Sequence, residues 1–189
     1  MSYSEDMSFE YKLAYNTAPT LLGIKPACLY SVKKGEISLE AVKQFNIKAA
    51  QKGIRLRRLC MSKGRELMLL YREDKLARQL FTEENMKLLV RFGYSSNMTV
   101  YEMLDKLSGR IAESENFPHE IGIFLGYPPE DVLGFIENGG SNYKLCGYWK
   151  VYDNAEKAKK IFENYNKCRN FLFGKLNQGT NIYEALKIA

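Results

Sequence analysis

The chain reads as an α+β fold: a single globular domain, residues 1–189, with a small, mainly antiparallel sheet packed with about seven to eight helices. Three observations predict this. The β-rich runs Ile54–Met61 and Glu66–Tyr71 flank Ser62-Lys63-Gly64-Arg65, where Gly64 supplies the positive φ of a hairpin turn. Capped stretches with apolar residues at helical spacing fill much of the rest. The element order, helix, strand, helix, hairpin, several helices, strand, helix, gives a few strands and many helices.

The first helix spans about Ser4–Tyr15 with Phe9 and Leu13 on one face, and Ala18-Pro19-Thr20 is expected to interrupt it. After Gly23-Ile24-Lys25-Pro26, the run Ala27–Val32 reads as a buried strand closed by Lys33-Lys34-Gly35. A helix then starts near Ser38 and ends at Gly53, with Val42, Phe45 and Ala49 facing inward. The hairpin follows.

Thr82 opens a helix ending near Gly93, and Thr99-Val100-Tyr101-Glu102 is a capping box for another that carries Met103, Leu107 and Ile111. Pro118 and Gly126 bracket a short helix, and Pro129 and Gly139-Gly140 a second. Ile121, Phe124, Leu125, Val132, Phe135 and Ile136 are expected to anchor this pair to the core. Residues 144–152 alternate like a strand. Asp153-Asn154-Ala155-Glu156 caps a long helix with Ala158, Phe162, Tyr165, Cys168 and Leu172 inward and Lys157, Lys159, Lys160 and Lys167 outward. A short helix over Ile182–Ile188 ends the series.

At 189 residues the chain is long enough to bury roughly two thirds of its unfolded surface, without disulfide or metal staples. The N-terminus carries Glu5 and Asp6 and lacks the basic start and apolar stretch of a secretory signal. No apolar run approaches the roughly 20 residues of a membrane helix, so a cytoplasmic protein with no membrane association is expected. Cys28, Cys60, Cys146 and Cys168 form no Cys-x-x-Cys pair and read as reduced, buried thiols.

Charge is unevenly spread. Ile111–Tyr143 holds six acids and no Lys or Arg, whereas the remainder carries 28 basic and 16 acidic groups. The acidic block also contains the only histidine, His119. Histidine titrates near neutral pH, which makes His119 the first candidate for proton transfer, with Glu120 beside it. Consecutive helical residues point apart, so Glu115, Asp131 or a backbone carbonyl would have to orient the imidazole. A thiol pairing with Cys28 or Cys146 is the nucleophilic alternative. A metal site built from His119 and the local carboxylates is the weakest of these readings, since one histidine with scattered acids has little specificity, so no metal ligand is assigned and the cofactor is unknown. The plain structural account is an imidazole that bonds a loop carbonyl and locks the helix entry.

A DNA-reading role for the two short helices is disfavoured, because the second offers Glu130, Asp131 and Glu137 and no base. Arg55, Arg57, Arg58, Lys63 and Arg65 on the hairpin are the more plausible nucleic-acid surface, although without a recognisable RNA-binding motif. Nucleic acid is therefore the least favoured partner.

Pro118-His119-Glu120-Ile121-Gly122-Ile123-Phe124-Leu125-Gly126-Tyr127-Pro128, continuing through Asp131–Ile136, resembles the signature of a bacterial family catalogued as a domain of unknown function. Ala18–Ala27 resembles its second signature and Tyr148–Tyr152 a third. Where that family often carries His-Cys before Ala-Pro-Thr-Leu, this chain has Asn16-Thr17, which weakens any thiol or metal chemistry there. The resemblance implies a bacterial cytosolic protein encoded near flavodoxin or iron-handling genes, and supplies no activity, cofactor or catalytic residue.

The resemblance also suggests that the 18–27 and 118–128 segments meet, since backbone-constrained loops often build a pocket on a rigid scaffold. The expected site is a pocket for a small anionic ligand. Lys25 would hold the anion with Thr20 beside it, His119 and Glu120 would handle a proton, and Tyr127 would pack on a ring. The alternative is a non-catalytic adaptor that docks an acidic protein partner such as a flavodoxin.

Overall fold

The computed structural model describes residues 3–114 and 117–188. Glu115 therefore lies outside the described residues. Helix α1 (Tyr3–Leu21) leads into strand β1 (Ala27–Lys33), helix α2 (Leu39–Ala49) and a 3-10 turn, Ala50–Lys52. Ser38 caps α2 by accepting from the Ala41 N–H, and Gly53 ends the turn at φ +62°.

Strands β2 (Ile54–Ser62) and β3 (Arg65–Arg72) form the hairpin, with Lys63 and Gly64 both at positive φ, as a two-residue primed turn requires. Strand β3 is central in the antiparallel order β1-β3-β2, and a bulge between Arg58 and Cys60 carries Leu59 into the core. The near-continuous apolar run of β3 follows from its position. Leu67, Leu69 and Tyr71 join one core cluster, while Met68 and Leu70 join the other on the opposite face.

Helices α3 (Glu73–Leu80), α4 (Glu83–Val90), α5 (Val100–Glu113), α6 (Ile121–Phe124) and α7 (Pro129–Glu137) contribute to the first core, and α1, α2, α8 (Ala155–Asn177) and α9 (Ile182–Ala185) to the second. Thr82 caps α4, and Thr99 with Glu102 forms the expected capping box of α5. Helix α3 has no counterpart among the sequence expectations. It starts directly on the end of β3, with Glu73 N–H donating to Gly53 O, and buries Leu76 and Leu80.

Two expectations are corrected. Pro19 does not interrupt α1, which continues to Leu21. The carbonyl orphaned by a helical proline lies four residues earlier, at Tyr15, and the Arg169 Nε donates to it at 3.0 Å. Residues 144–152 form no continuous strand and stay apart from the main sheet. They make a separate hairpin of β4 (Leu145–Cys146) and β5 (Lys150–Val151). The chain bends at Gly147, where a Cβ would stand 2.3 Å from the Phe162 ring, so only glycine lets the backbone lie on that aromatic. Trp149, Val151, Ala158 and Tyr165 form a third apolar cluster around this hairpin.

Candidate functional site

The Ala18–Ala27 and Pro118–Pro128 segments do meet. Gly126, at φ +77°, ends α6 and lies against Pro26, with a Cβ at residue 126 falling 2.6 Å from Pro26 Cγ. The next residue, Tyr127, places its ring under the Lys25 ammonium, 5.2 Å from Nζ to the ring centre. Trp149 stacks on the same Tyr127 ring at 4.9 Å and 25°. Burial pushes the Tyr127 phenol up to about 12, so it stays neutral and donates to Tyr148 O at 3.3 Å.

A cavity of about 300 Å³ opens beside this stack. Its walls are aromatic and aliphatic, chiefly Tyr127, Trp149, Phe135, Ile121 and Val132, and its polar contributors include His119, Lys150 and Asp131. His119 is exposed, with its ring 5.2 Å from that of Phe135. Phe135 is thus a cavity wall, whereas the sequence had assigned it to the core. The Lys150 Nζ donates to Gly140 O at 2.7 Å and lies 4.9 Å from the Tyr143 ring centre.

Two of the carboxylates considered for His119, Glu120 and Asp131, are committed elsewhere. Glu120 is fully buried and pairs with the Arg110 guanidinium, while Tyr94 Oη donates to the same Oε1 at 3.4 Å. Burial and the Glu120 charge hold the Tyr94 phenol far above its ordinary range. Asp131 accepts from Trp149 Nε1 at 2.6 Å, Tyr152 N at 2.7 Å and Asp153 N at 3.0 Å. It fastens the Trp149 hairpin to α7. Neither acid orients the imidazole.

Thr20 and Lys25 lie outside that cavity, in a buried group of their own with Cys28. Thr20 is fully buried, and its hydroxyl donates to Cys28 Sγ at 3.2 Å. Lys25 is 5% exposed, and its Nζ also sits 5.6 Å from the Tyr165 ring centre. Desolvation lowers its pKa, opposed by the neighbouring Cys28. The cysteines are not all buried as expected: Cys28 and Cys168 are, Cys60 is half-buried, and Cys146 is exposed on the β4–β5 hairpin, which stands apart from the main sheet. Sequence reasoning overlooked Lys150 and Trp149 as site residues. Their only signal was adjacency within the Tyr148–Tyr152 motif.

The hairpin arginines are engaged within the molecule. Arg55 pairs with Glu73, Arg57 with Asp105 and Arg58 with Glu66, and Arg65 donates to Ser31. Among the described residues, no cluster of three or more His, Cys, Asp or Glu side chains is arranged to hold a metal, and no helix is long and apolar enough to cross a membrane.

The model for the family described as "Protein of unknown function (DUF3793)" matches residues 13–186. The chain belongs to the DUF3793 family. No curated protein and no solved structure matched it in the same comparisons. In this DUF3793 chain, each of the three motif segments contributes to the Lys25–Tyr127–Trp149 arrangement.

Proposed function

We propose that this protein binds a small, ring-bearing anionic ligand in the aromatic cavity beside Tyr127, in the cytoplasm. The observation that carries this reading is the lining. Four aromatic rings, Phe117, Tyr127, Phe135 and Trp149, line about 300 Å³, and His119 and Lys150 are the two lining side chains that can carry positive charge. That volume lies at the small end of ligand sites, which are largely apolar with a few polar groups that fix orientation. A flat ring would lie against Trp149 or Phe135, and its anionic group would reach Lys150 and His119. Lys25, expected to hold the anion, lies behind Tyr127, and Lys150 takes that role in this reading.

Trp149 is the only tryptophan in the chain, so its fluorescence reports occupancy of the cavity directly. Titration with small aromatic carboxylates that are dark at tryptophan wavelengths, such as benzoate and phenylacetate, is expected to quench it saturably. Lys150→Ala should weaken binding about tenfold, as expected for one charge-assisted contact of about 1.4 kcal/mol. Lack of a saturable change across such probes would reject the reading.

A second reading, docking of an acidic protein partner, draws on α8, where Lys157, Lys160 and Lys167 are all exposed. Partner affinity falling steeply with salt and indifferent to Lys150→Ala would favour it. Nucleic acid is less favoured, because the hairpin arginines that would meet phosphates already have partners.

A further inference from the structure

Two large aromatic side chains stand exposed beside the ligand cavity. Phe117 lines it and is 41% exposed, and Tyr143, 44% exposed, lies next to Lys150, whose Nζ is 4.9 Å from its ring centre. Exposed rings that adjoin an apolar cavity form a continuous patch, unlike single apolar residues scattered over a surface. The two lining groups that can carry positive charge lie against one ring. The His119 and Phe135 ring centres are 5.2 Å apart, and the Lys150 Nζ is 5.7 Å from the Phe135 centre. Among the described residues, neither His119 nor Lys150 is paired with a carboxylate. An apolar cavity of about 150 Å³ is enough for benzene. About 300 Å³ therefore takes an aromatic side chain with the carbon that bears it, and an occupant confined to that space leaves much of Phe117 and Tyr143 in water.

We propose that the cavity receives the C-terminal residue of a peptide partner, with an aromatic side chain inside, the terminal carboxylate at Lys150 and His119, and the preceding residues laid over Phe117 and Tyr143. This inference rests on the cavity reading above and narrows its occupant from a ring-bearing anion to a chain terminus. Capture of a terminal carboxylate is a recurrent mode of peptide recognition. In a C-terminal aromatic residue the ring and the carboxylate branch from one carbon, so a single residue supplies both the apolar body and the charge that the lining calls for. The third branch is the amide that leads back into the chain. It carries the peptide out of the mouth, where the two exposed rings offer apolar surface to the residues that precede the terminus. An internal aromatic residue brings the ring without that charge and leaves Lys150 and His119 without an anion.

Titrations of the full chain followed by Trp149 fluorescence test this with four probes: phenylacetate, N-acetylphenylalanine, N-acetyl-leucyl-alanyl-phenylalanine, and the same tripeptide as its C-terminal amide. The tripeptide acid is expected to bind about tenfold more tightly than phenylacetate or N-acetylphenylalanine, and its amide about tenfold more weakly than the acid, the worth of one charge-assisted contact. Lys150→Ala should remove most of the difference between acid and amide. Tyr143→Ser should cost the tripeptide more affinity than it costs phenylacetate. Phenylacetate binding with a tripeptide that binds no tighter would overturn the chain-terminus assignment and leave the small-ligand reading standing. An amide that binds as well as the acid, or N-acetylphenylalanine that matches the tripeptide, would overturn it as well. Silence from all four probes would remove both. The acid and amide are compared on the unaltered protein, so the result stands whatever the variants do.

Discussion

Arg169 replaces the backbone donor that Pro19 lacks. Its Nε reaches across from α8 to the Tyr15 carbonyl at 3.0 Å, and the guanidinium also lies 4.6 Å from the Tyr15 ring centre. The contact lets α1 pass through a proline with its carbonyl satisfied, and it ties the helix in which the Ala18–Ala27 segment begins to the helix behind the Trp149 hairpin. Arg169→Met should cost about 1 kcal/mol, the net worth of one hydrogen bond. Pro19→Ala restores the intrahelical donor, so the cost of Arg169→Met should shrink in that background. A double-mutant cycle by urea denaturation measures the coupling, and strict additivity would refute it.

His119 and Glu120 are adjacent in sequence and opposite in role. Glu120 is buried against Arg110, whose own side chain is 38% exposed, so solvent screens part of the pair. Glu120→Gln should therefore destabilise the fold by about 1–3 kcal/mol, less than a fully buried pair would lose. His119→Ala removes an exposed ring and should change stability by less than about 0.5 kcal/mol while weakening aromatic carboxylate binding. Thermal melts of the two variants should separate clearly.

Asp131 controls the shape of the cavity through Trp149. Both of its oxygens accept, one from the indole and the other from two backbone N–H groups. In Asp131→Asn an amide N–H must face at least one of these donors, a loss of about 2–3 kcal/mol. Trp149, now 7% exposed, would become more solvated. Its emission should shift to the red in the folded variant, and an unchanged spectrum would show that the hairpin is held by other contacts.

The parts of the fold that were legible in sequence are those governed by local chemistry. Thr99 and Glu102 cap each other, Ser38 and Thr82 cap alone, and Gly64 turns the hairpin, so each element is announced within a few residues. The misses came from distant partners. The continuation of α1 past Pro19 depends on an arginine 150 residues later, and the bend at Gly147 depends on Phe162. At the site, the Pro/Gly motifs foretold that two segments meet. They did not show that Lys25 sits over the Tyr127 ring and outside the cavity that His119 lines, because the neighbours of a buried ring are set by tertiary packing. Glu120 and Asp131 looked like proton-handling acids by type and position, and their partners made them structural.

Lys25 makes stability depend on pH in a defined direction. Burial lowers its folded pKa below the ordinary 10.5, so between the folded value and 10.5 the unfolded chain binds more protons than the native one. Where that holds, stability rises with pH. Below the folded pKa both states are protonated, and the native state carries the whole cost of a buried ammonium. Lys25→Met keeps much of the side-chain length and removes the charge. The melting temperature of Lys25→Met relative to wild type should be most favourable at low pH and decline as pH rises toward 10.5, because wild type recovers as its amine sheds the proton. Paired melts across that range check the sign. A difference that is flat with pH would mean that the two tyrosine rings and Cys28 compensate fully for the lost hydration, leaving Lys25 as a permanent cation.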